Sequence, residues 1–260
     1  MRENALKEVY VCTEGKCLPP QLRNKACREG FMVITDCSRE AEELTAKGWP
    51  VLGILTEKNK QDAFAGVRYL CEGGENLTPE YLEKVYRRYK ELPWDILETD
   101  RCIVRETTEA DVDAFYRIYA EPSVTTYMEN LFADREEEIQ YVKQYREYMY
   151  GFYGYGIWTV LWKKTGEVIG RIGLTVREGY EDPELGFLIA VPWQGKGLAA
   201  EVCEAVLRYG TEELEFQSVQ ALVESGNEAS VRLLYKLGFV CQGECVDKGK
   251  TYYQFWRKLL

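Results

Sequence analysis

The stretch that most narrows what this chain can fold into lies between residues 184 and 214. ELGFLIA (184–190) reads as a strand, and Val191-Pro192-Trp193 leads out of it into Gln194-Gly195-Lys196-Gly197-Leu198-Ala199. A helix then begins at once over GLAAEVCEAVLRYGTEEL (197–214). Glycines at 195 and 197 permit close backbone approach, and the unpaired N–H groups of a helix start point at whatever sits in front of them. Such a terminus holds phosphate or pyrophosphate through those donors and the helix dipole. Taken alone, the pattern fits a tight strand-to-helix turn equally well. Two other phosphate motifs are excluded. The Walker pattern needs Ser or Thr after Gly-Lys, and Lys196 is followed by Gly197. The dinucleotide fingerprint wants a third glycine where Ala200 stands, and here the preceding elements read as hairpins rather than the start of a βαβ unit.

The chain contains no histidine. This removes every Ser–His or Cys–His nucleophile pair and every histidine metal site. Proton transfer must use Glu, Asp, Tyr, Cys, a backbone group or water. The nine cysteines include no CxxC pair, and Cys241 and Cys245 have no second pair to complete a zinc site. They are expected to be reduced and mostly buried thiols, with no metal bound. The net charge of −10 disfavours nucleic acid, whose phosphates need clustered Lys and Arg, and favours encounter with a cationic substrate such as an amine. No apolar run approaches the length of a membrane span, and the N-terminus MRENALKEVYVC lacks the apolar core of a secretory signal. No membrane partner is expected, and a cytoplasmic location is.

With 260 residues the chain has room for two domains. In the first, FMVITD (31–36) and WPVLGIL (49–55) read as strands around a helix over 38–48 with Ser38 as cap. QDAFAGVRYLCEGG (61–74) is expected to carry a short helix and another short strand. LTPEYLEKVYRRYKEL (77–92) is the clearest helix, capped by Thr78 with Pro79 at its first position. Alternating strands and helices imply a small parallel sheet. Pro93 and Trp94 stop that helix, and the boundary is placed near residue 98. Beyond it, helices are expected over 109–122, 133–151, 197–214 and 227–238, and strands over 184–190 and 218–224. Two hairpins, over 156–174 and at the C-terminus around Asp247–Lys250, complete the pattern. The fold class is α/β: a Rossmann-like module over 1–97, then a mixed, mostly antiparallel sheet with flanking helices over 98–260.

Several stretches in order carry a resemblance across the second domain. DRCIVRETTEADVDAFYRIY, TGEVIGRIGL, ELGFLIAVPWQGKGLAAEV and NEASVRLLYKLGF together resemble the GNAT acyltransferases, within the branch that includes ribosomal-protein N-terminal acetyltransferases. The family loop pattern Q/R-x-x-G-x-G/A falls on Gln194, Gly197 and Ala199, with Gly195 additional. The resemblance implies acetyl-CoA as co-substrate, lying between the strand ending near Val191 and SVQALVE (218–224). Backbone groups of Ile189, Ala190 and Val191 would pair with the pantetheine arm. Amides of Gln194, Gly195, Lys196, Gly197, Leu198 and Ala199 would hold the pyrophosphate, and Asn227 and Ser230 would touch the cofactor from the next helix.

The implied chemistry is direct attack of an amine, either a small molecule or a protein N-terminus, on the thioester in a ternary complex. Glu184 opens the cofactor strand, where the branch often carries a glutamate, and is the candidate base; a solvated strand-end carboxylate is the alternative. Many members place a Tyr acid seven residues after the motif's Asn. Here that position is Leu234, and Tyr235 follows it, turned by about 100° on a helix. The tyrosine-rich stretch 138–158 is expected mostly to pack a core or helix face, with some rings lining an acceptor groove. The first domain weakly resembles the later half of HAD-type phosphatases through VITDCSREAEELTAKGWPVLGIL. Of the magnesium-binding acids only Asp36 remains, and no DxDx-Thr strand precedes it. A degenerate module with a packing, regulatory or recognition role fits better than a phosphatase. A non-catalytic acyl-CoA sensor is the other alternative for the whole chain. Oligomeric state is left open.

Overall fold

The computed structural model describes residues 4–23, 29–74, 77–247 and 249–260; Cys27, one of the nine cysteines, and Lys248, within the C-terminal turn, lie outside them. The chain divides into two compact units, Met1–Trp94 and Asp95–Leu260.

The first unit is a parallel sheet. Strands β1 (Glu8–Cys12), β2 (Phe31–Thr35), β3 (Val51–Leu55) and β4 (Tyr69–Glu72) pair in sequence order, each parallel to the next. A short helix α1 (Pro20–Arg23) follows β1, α2 (Ser38–Ala46) links β2 to β3, and α3 (Pro79–Tyr89) follows β4. Parallel strands are buried on both faces, and their sequence is accordingly a near-continuous apolar run. Ala41 and Leu44 of α2 pack with Trp49 and Phe64 over Val33 and Val51 on one face. Val85 and Tyr86 of α3 cover Met32 and Leu52 on the other.

Thr78 caps α3 as its sequence implies, its side chain accepting from the Tyr81 N–H. Ser38 does not cap α2. The cap position is Cys37, with no side-chain bond, and the Ser38 hydroxyl instead donates to Asp62. The helix expected within 61–74 is also absent. Asn59, 6% exposed, accepts from Thr56 N–H and donates to the Asp36 and Ile54 carbonyls, and this knot holds the following segment in turns until β4.

The second unit is built on an eight-stranded sheet. Strands β5 (Asp95–Glu98) and β6 (Cys102–Arg105) form a tight hairpin, closed where the Thr99 N–H bonds back to the Cys102 carbonyl. β5 pairs with β6, and the second compact unit begins at Asp95, close to the boundary placed near residue 98. Helices α4 (Val112–Tyr119), α5 (Pro122–Thr125) and α6 (Arg135–Tyr145) follow, with a 3-10 turn at Glu109–Asp111 before α4 and a π-helical stretch, Arg146–Tyr153, after α6. Then come β7 (Ile157–Trp162), β8 (Val168–Thr175), β9 (Glu184–Ile189), α7 (Leu198–Glu212), β10 (Ser218–Glu224), α8 (Glu228–Lys236), β11 (Val240–Asp247) and β12 (Lys250–Lys258).

The strand order is β11-β12-β10-β9-β8-β7-β6-β5, and every neighbouring pair is antiparallel except β9 with β10. Trp158, Ile172, Leu174 and Val206 are among its fully buried side chains. Under the sheet's first strands, Arg105 makes a bidentate pair with Asp111 (2.7 and 2.6 Å), whose carboxylate also accepts from Thr108 N–H and the Thr159 hydroxyl. The described cysteines are free thiols, but only Cys12, Cys102 and Cys203 are buried; the expectation that most would be is wrong. No helix among the described residues is long and apolar enough to cross a membrane.

Candidate active site

Strands β9 and β10 pair at one position only, Glu184 with Gln220. Past it they part, and a cleft of about 520 Å³ opens toward the start of α7. Its walls come from β9 (Phe187, Leu188, Ile189), the glycine turn, α5 and α8.

The turn behaves as its sequence implies. Gly195 and Gly197 sit at φ 71° and 76°, in the left-handed region that other residues adopt only at a cost. The backbone amides of residues 195–200 have no hydrogen-bond partner among the described residues; the first N–H taken up is Glu201's, by the Gly197 carbonyl. A row of free donors at a helix N-terminus is an anion site.

The turn is braced by a residue that no local pattern marks. Arg101, between β5 and β6, donates to the Lys196 carbonyl (2.9 Å) and pairs with Glu201 (2.6 Å). Burial opposes ionisation of Glu201, but bonds from Thr99 and Arg101 outweigh it and hold the carboxyl below its usual range. Nothing local in the sequence links positions a hundred residues apart.

The expected cofactor residues fall into two groups. Ile189, Gln194, Gly195, Gly197, Leu198, Ala199, Asn227 and Ser230 line the cleft, whereas Ala190, Val191 and Lys196 do not. The Lys196 ammonium lies 4.8 Å from the Trp193 ring. The backbone around 189–191 is largely used internally. Gln194 Nε2 donates to the Ile189 carbonyl, Trp193 N–H to Ala190, Gln194 N–H to Val191, and Ala190 N–H bonds the Ile169 carbonyl on β8. That last bond fixes the alternation: Phe187 and Ile189 turn their N–H groups toward the opening, so the free strand edge lies earlier than expected. Asn227 accepts from Ser230 N–H as the cap of α8, which ties up its Oδ1. Across the mouth, the Tyr127 hydroxyl donates to the Gly226 carbonyl (3.0 Å), a contact with no precursor in the sequence pattern.

Glu184 does not line the cleft; it sits where the two strands last pair. Its carboxylate accepts from Arg177 (2.8 Å), whose other nitrogen bonds Asp247 at the end of β11. Burial pushes the Glu184 pKa up, the bond from Arg177 draws it back, and the balance stays above the usual carboxylate range. Leu234 is fully buried, while Tyr235 is 56% exposed with its ring edge-on to Phe255, outside the cleft. None of the rings of 138–158 lines the cleft either. Tyr145 and Tyr150 pack inward against the start of β7, whereas Tyr148 and Phe152 stack on the surface. Among the described residues no group of His, Cys, Asp and Glu is placed to hold a metal.

A parallel pair that splits toward a glycine turn and a helix N-terminus forms an anion-binding cleft in a mixed sheet, and comparison with known proteins gives the class. The family profile "Acetyltransferase (GNAT) domain" matches residues 101–240. The chain belongs to the GNAT N-acetyltransferase family. It is 33% identical over 151 residues to the uncharacterized N-acetyltransferase YoaA of Bacillus subtilis (strain 168), spanning 57% of this chain and 84% of that one. It is 31% identical over 83 residues to the putative ribosomal N-acetyltransferase YdaF of the same organism, spanning 32% and 45%. A solved structure of a putative GNAT-family acetyltransferase from Bordetella pertussis superposes with a TM-score of 0.52 at 26% identity, covering 62% of this chain and 98% of that one.

Proposed function

We propose that the chain acetylates a primary amine, either a protein N-terminus or a small-molecule amine, with acetyl-CoA as donor and direct attack in a ternary complex. The observation that carries this reading is the parting of β9 and β10 after one register pair, with the cleft running on to the free amides of 195–200. Those amides and the helix dipole suit a pyrophosphate, and Arg101, its charge matched by Glu201, holds the turn that presents them. The open edge of Phe187 and Ile189 suits the amide groups of a pantetheine arm, laid in as an added strand would be. When bound, acetyl-CoA supplies the thioester carbonyl that the amine attacks.

Positioning and polarisation account for most of the acceleration, since no histidine is available and no covalent enzyme intermediate is required. The incoming ammonium must lose a proton whose free pKa is about 7.7–8.0 for an α-amino group or about 10.4 for lysine. Glu184 is the group proposed to take it, directly or through water. Its burial favours this role by raising its proton affinity toward the working pH. The exposure of Tyr235 and the burial of Leu234 argue against a thiolate acid from α8.

The test is a thiol-release screen with acetyl-CoA against peptides with free N-termini, polyamines and aminoglycosides. Amine-dependent release of CoA supports the proposal, and the pattern of hits identifies the acceptor class. Tight acetyl-CoA binding without turnover on any amine would make the chain a sensor instead.

A further inference from the structure

The first unit has a cleft of its own, and nothing in the acetyl-transfer reading uses it. It measures about 500 Å³ and lies at the carboxyl edge of the parallel sheet. Thr13 and Glu14 reach it from the end of β1, Asp36 from β2 and Thr56 from β3. Its floor is Val9, Val11, Ile34 and Ile54, closed on one side by Leu77 and Leu82. Both faces of a parallel sheet are normally covered. Here α3 covers Met32 and Leu52 but leaves the strand tips bare, so that Val11 is 59% exposed. Carboxyl edges of parallel strands are where open α/β sheets bind small ligands.

The rim is held in place before any ligand arrives. Asp36 Oδ2 accepts from the Glu14 N–H (3.0 Å), tying the β1 tip to the β2 tip. Asn59 then ties Asp36 to Ile54 and Thr56, joining the tips of β2 and β3. Chemistry follows from what lines this preset rim. Two carboxylates and two hydroxyls face an apolar floor, and no Lys or Arg is among the described lining residues. Phosphate esters are repelled by such a rim, and an anion finds no partner. A cation with an apolar body satisfies both surfaces, since its charge meets carboxylates while its carbon skeleton covers bare valine and isoleucine.

We propose that the carboxyl edge of the first unit's sheet, at Asp36 and Glu14 over Val11, Ile34 and Ile54, is a binding site for a small amphipathic organic amine in its cationic form. The site lies outside the acetyl-transfer cleft and does not depend on the identity of the acceptor.

The experiment is isothermal titration of the full chain with phenethylamine, with 2-phenylethanol as its neutral counterpart, and with inorganic phosphate plus Mg²⁺. Phenethylamine should bind, the alcohol more weakly, and Asp36→Asn should cost about 10- to 100-fold in amine affinity, as loss of a charge-assisted hydrogen bond does. Asparagine keeps an acceptor for the Glu14 N–H. Glu14→Gln on the surface loop provides a second variant whose folding does not depend on Asp36. Glu184→Gln should leave this binding unchanged. Four results overturn the proposal: no amine binding, equal binding of the alcohol, affinity untouched by both Asp36→Asn and Glu14→Gln, or Mg²⁺-dependent phosphate binding that is lost in Asp36→Asn. A loss seen only in Glu184→Gln would place the amine at the acetyl-transfer site and also overturn it.

Discussion

Gly197 stands at φ 76°, and a Cβ built there would meet nothing closer than Arg101 Nη2 at 3.7 Å. Gly197→Ala therefore brings no clash, and its whole effect is conformational. Holding alanine in the left-handed region costs about 1–2 kcal/mol. If the turn relaxes in the free protein to escape that strain, binding must restore it, and acetyl-CoA affinity falls about 5- to 30-fold. Gly197→Glu adds a negative charge beside the free amides. At about 5 Å and an effective dielectric near 20, repulsion from one phosphate charge is about 3 kcal/mol, so the combined loss exceeds about 10³-fold. Arg101 is close enough to pair with the new carboxylate and recover part of this, which makes the Arg101→Ala/Gly197→Glu double variant the weakest binder. Calorimetric titration with acetyl-CoA measures all three, with circular dichroism and thermal melts to confirm folding. Folded Gly197→Ala and Gly197→Glu proteins that bind acetyl-CoA as tightly as the parent would refute the placement of the pyrophosphate at this turn.

Glu184→Gln keeps shape and hydrogen bonding but accepts no proton, so kcat should fall about 10²–10⁴-fold with acetyl-CoA affinity nearly unchanged, while Tyr235→Phe should cost little; steady-state kinetics compares the two directly. Arg177 pulls the Glu184 pKa down, so Arg177→Gln should raise it further. The acidic limb of kcat/KM, where activity appears as pH climbs through the base's pKa, then moves to higher pH, and an unmoved limb would separate Glu184 from the titration. Asp111→Ala strands the buried Arg105 guanidinium and should destabilise the second unit by about 3–5 kcal/mol in denaturant unfolding followed by the buried Trp158.

What could be read from the chain alone follows the range of the interactions involved. The glycine turn is legible because positive φ and a helix start are local demands, written in consecutive residues from Gln194 to Ala199. The start of α3 is legible for the same reason, since Thr78 and Pro79 act on their immediate neighbours. Ser38 misleads because its hydroxyl finds Asp62 across the unit rather than the helix start. The segment after β3 misleads because its turns are imposed by Asn59 bonding to the end of β2. The π-helical stretch after α6 is equally hidden. Its hydrogen-bond slip accompanies Tyr145 and Tyr150 reaching Ile157 on β7, a tertiary contact with no periodicity to mark it. Arg101 at Glu201 and Arg177 between Glu184 and Asp247 belong to the same class of long-range pairs.

The single register pair between Glu184 and Gln220 also has a mechanical meaning. Every other junction in the eight-stranded sheet is a ladder of several pairs that shares load along its length, whereas β10, β12 and β11 hang from β9 by one rung. Tension applied across the strands would tear the sheet at this seam before any other. A molecule lying in the opening with contacts to both β9 and α8 acts as a rivet there. Single-molecule pulling with handles at the exposed Lys164 and Thr251 should therefore give a rupture force that rises when acetyl-CoA saturates the protein. A force indifferent to acetyl-CoA would mean that the packing of α7 against α8, and not the strand edge, carries the load.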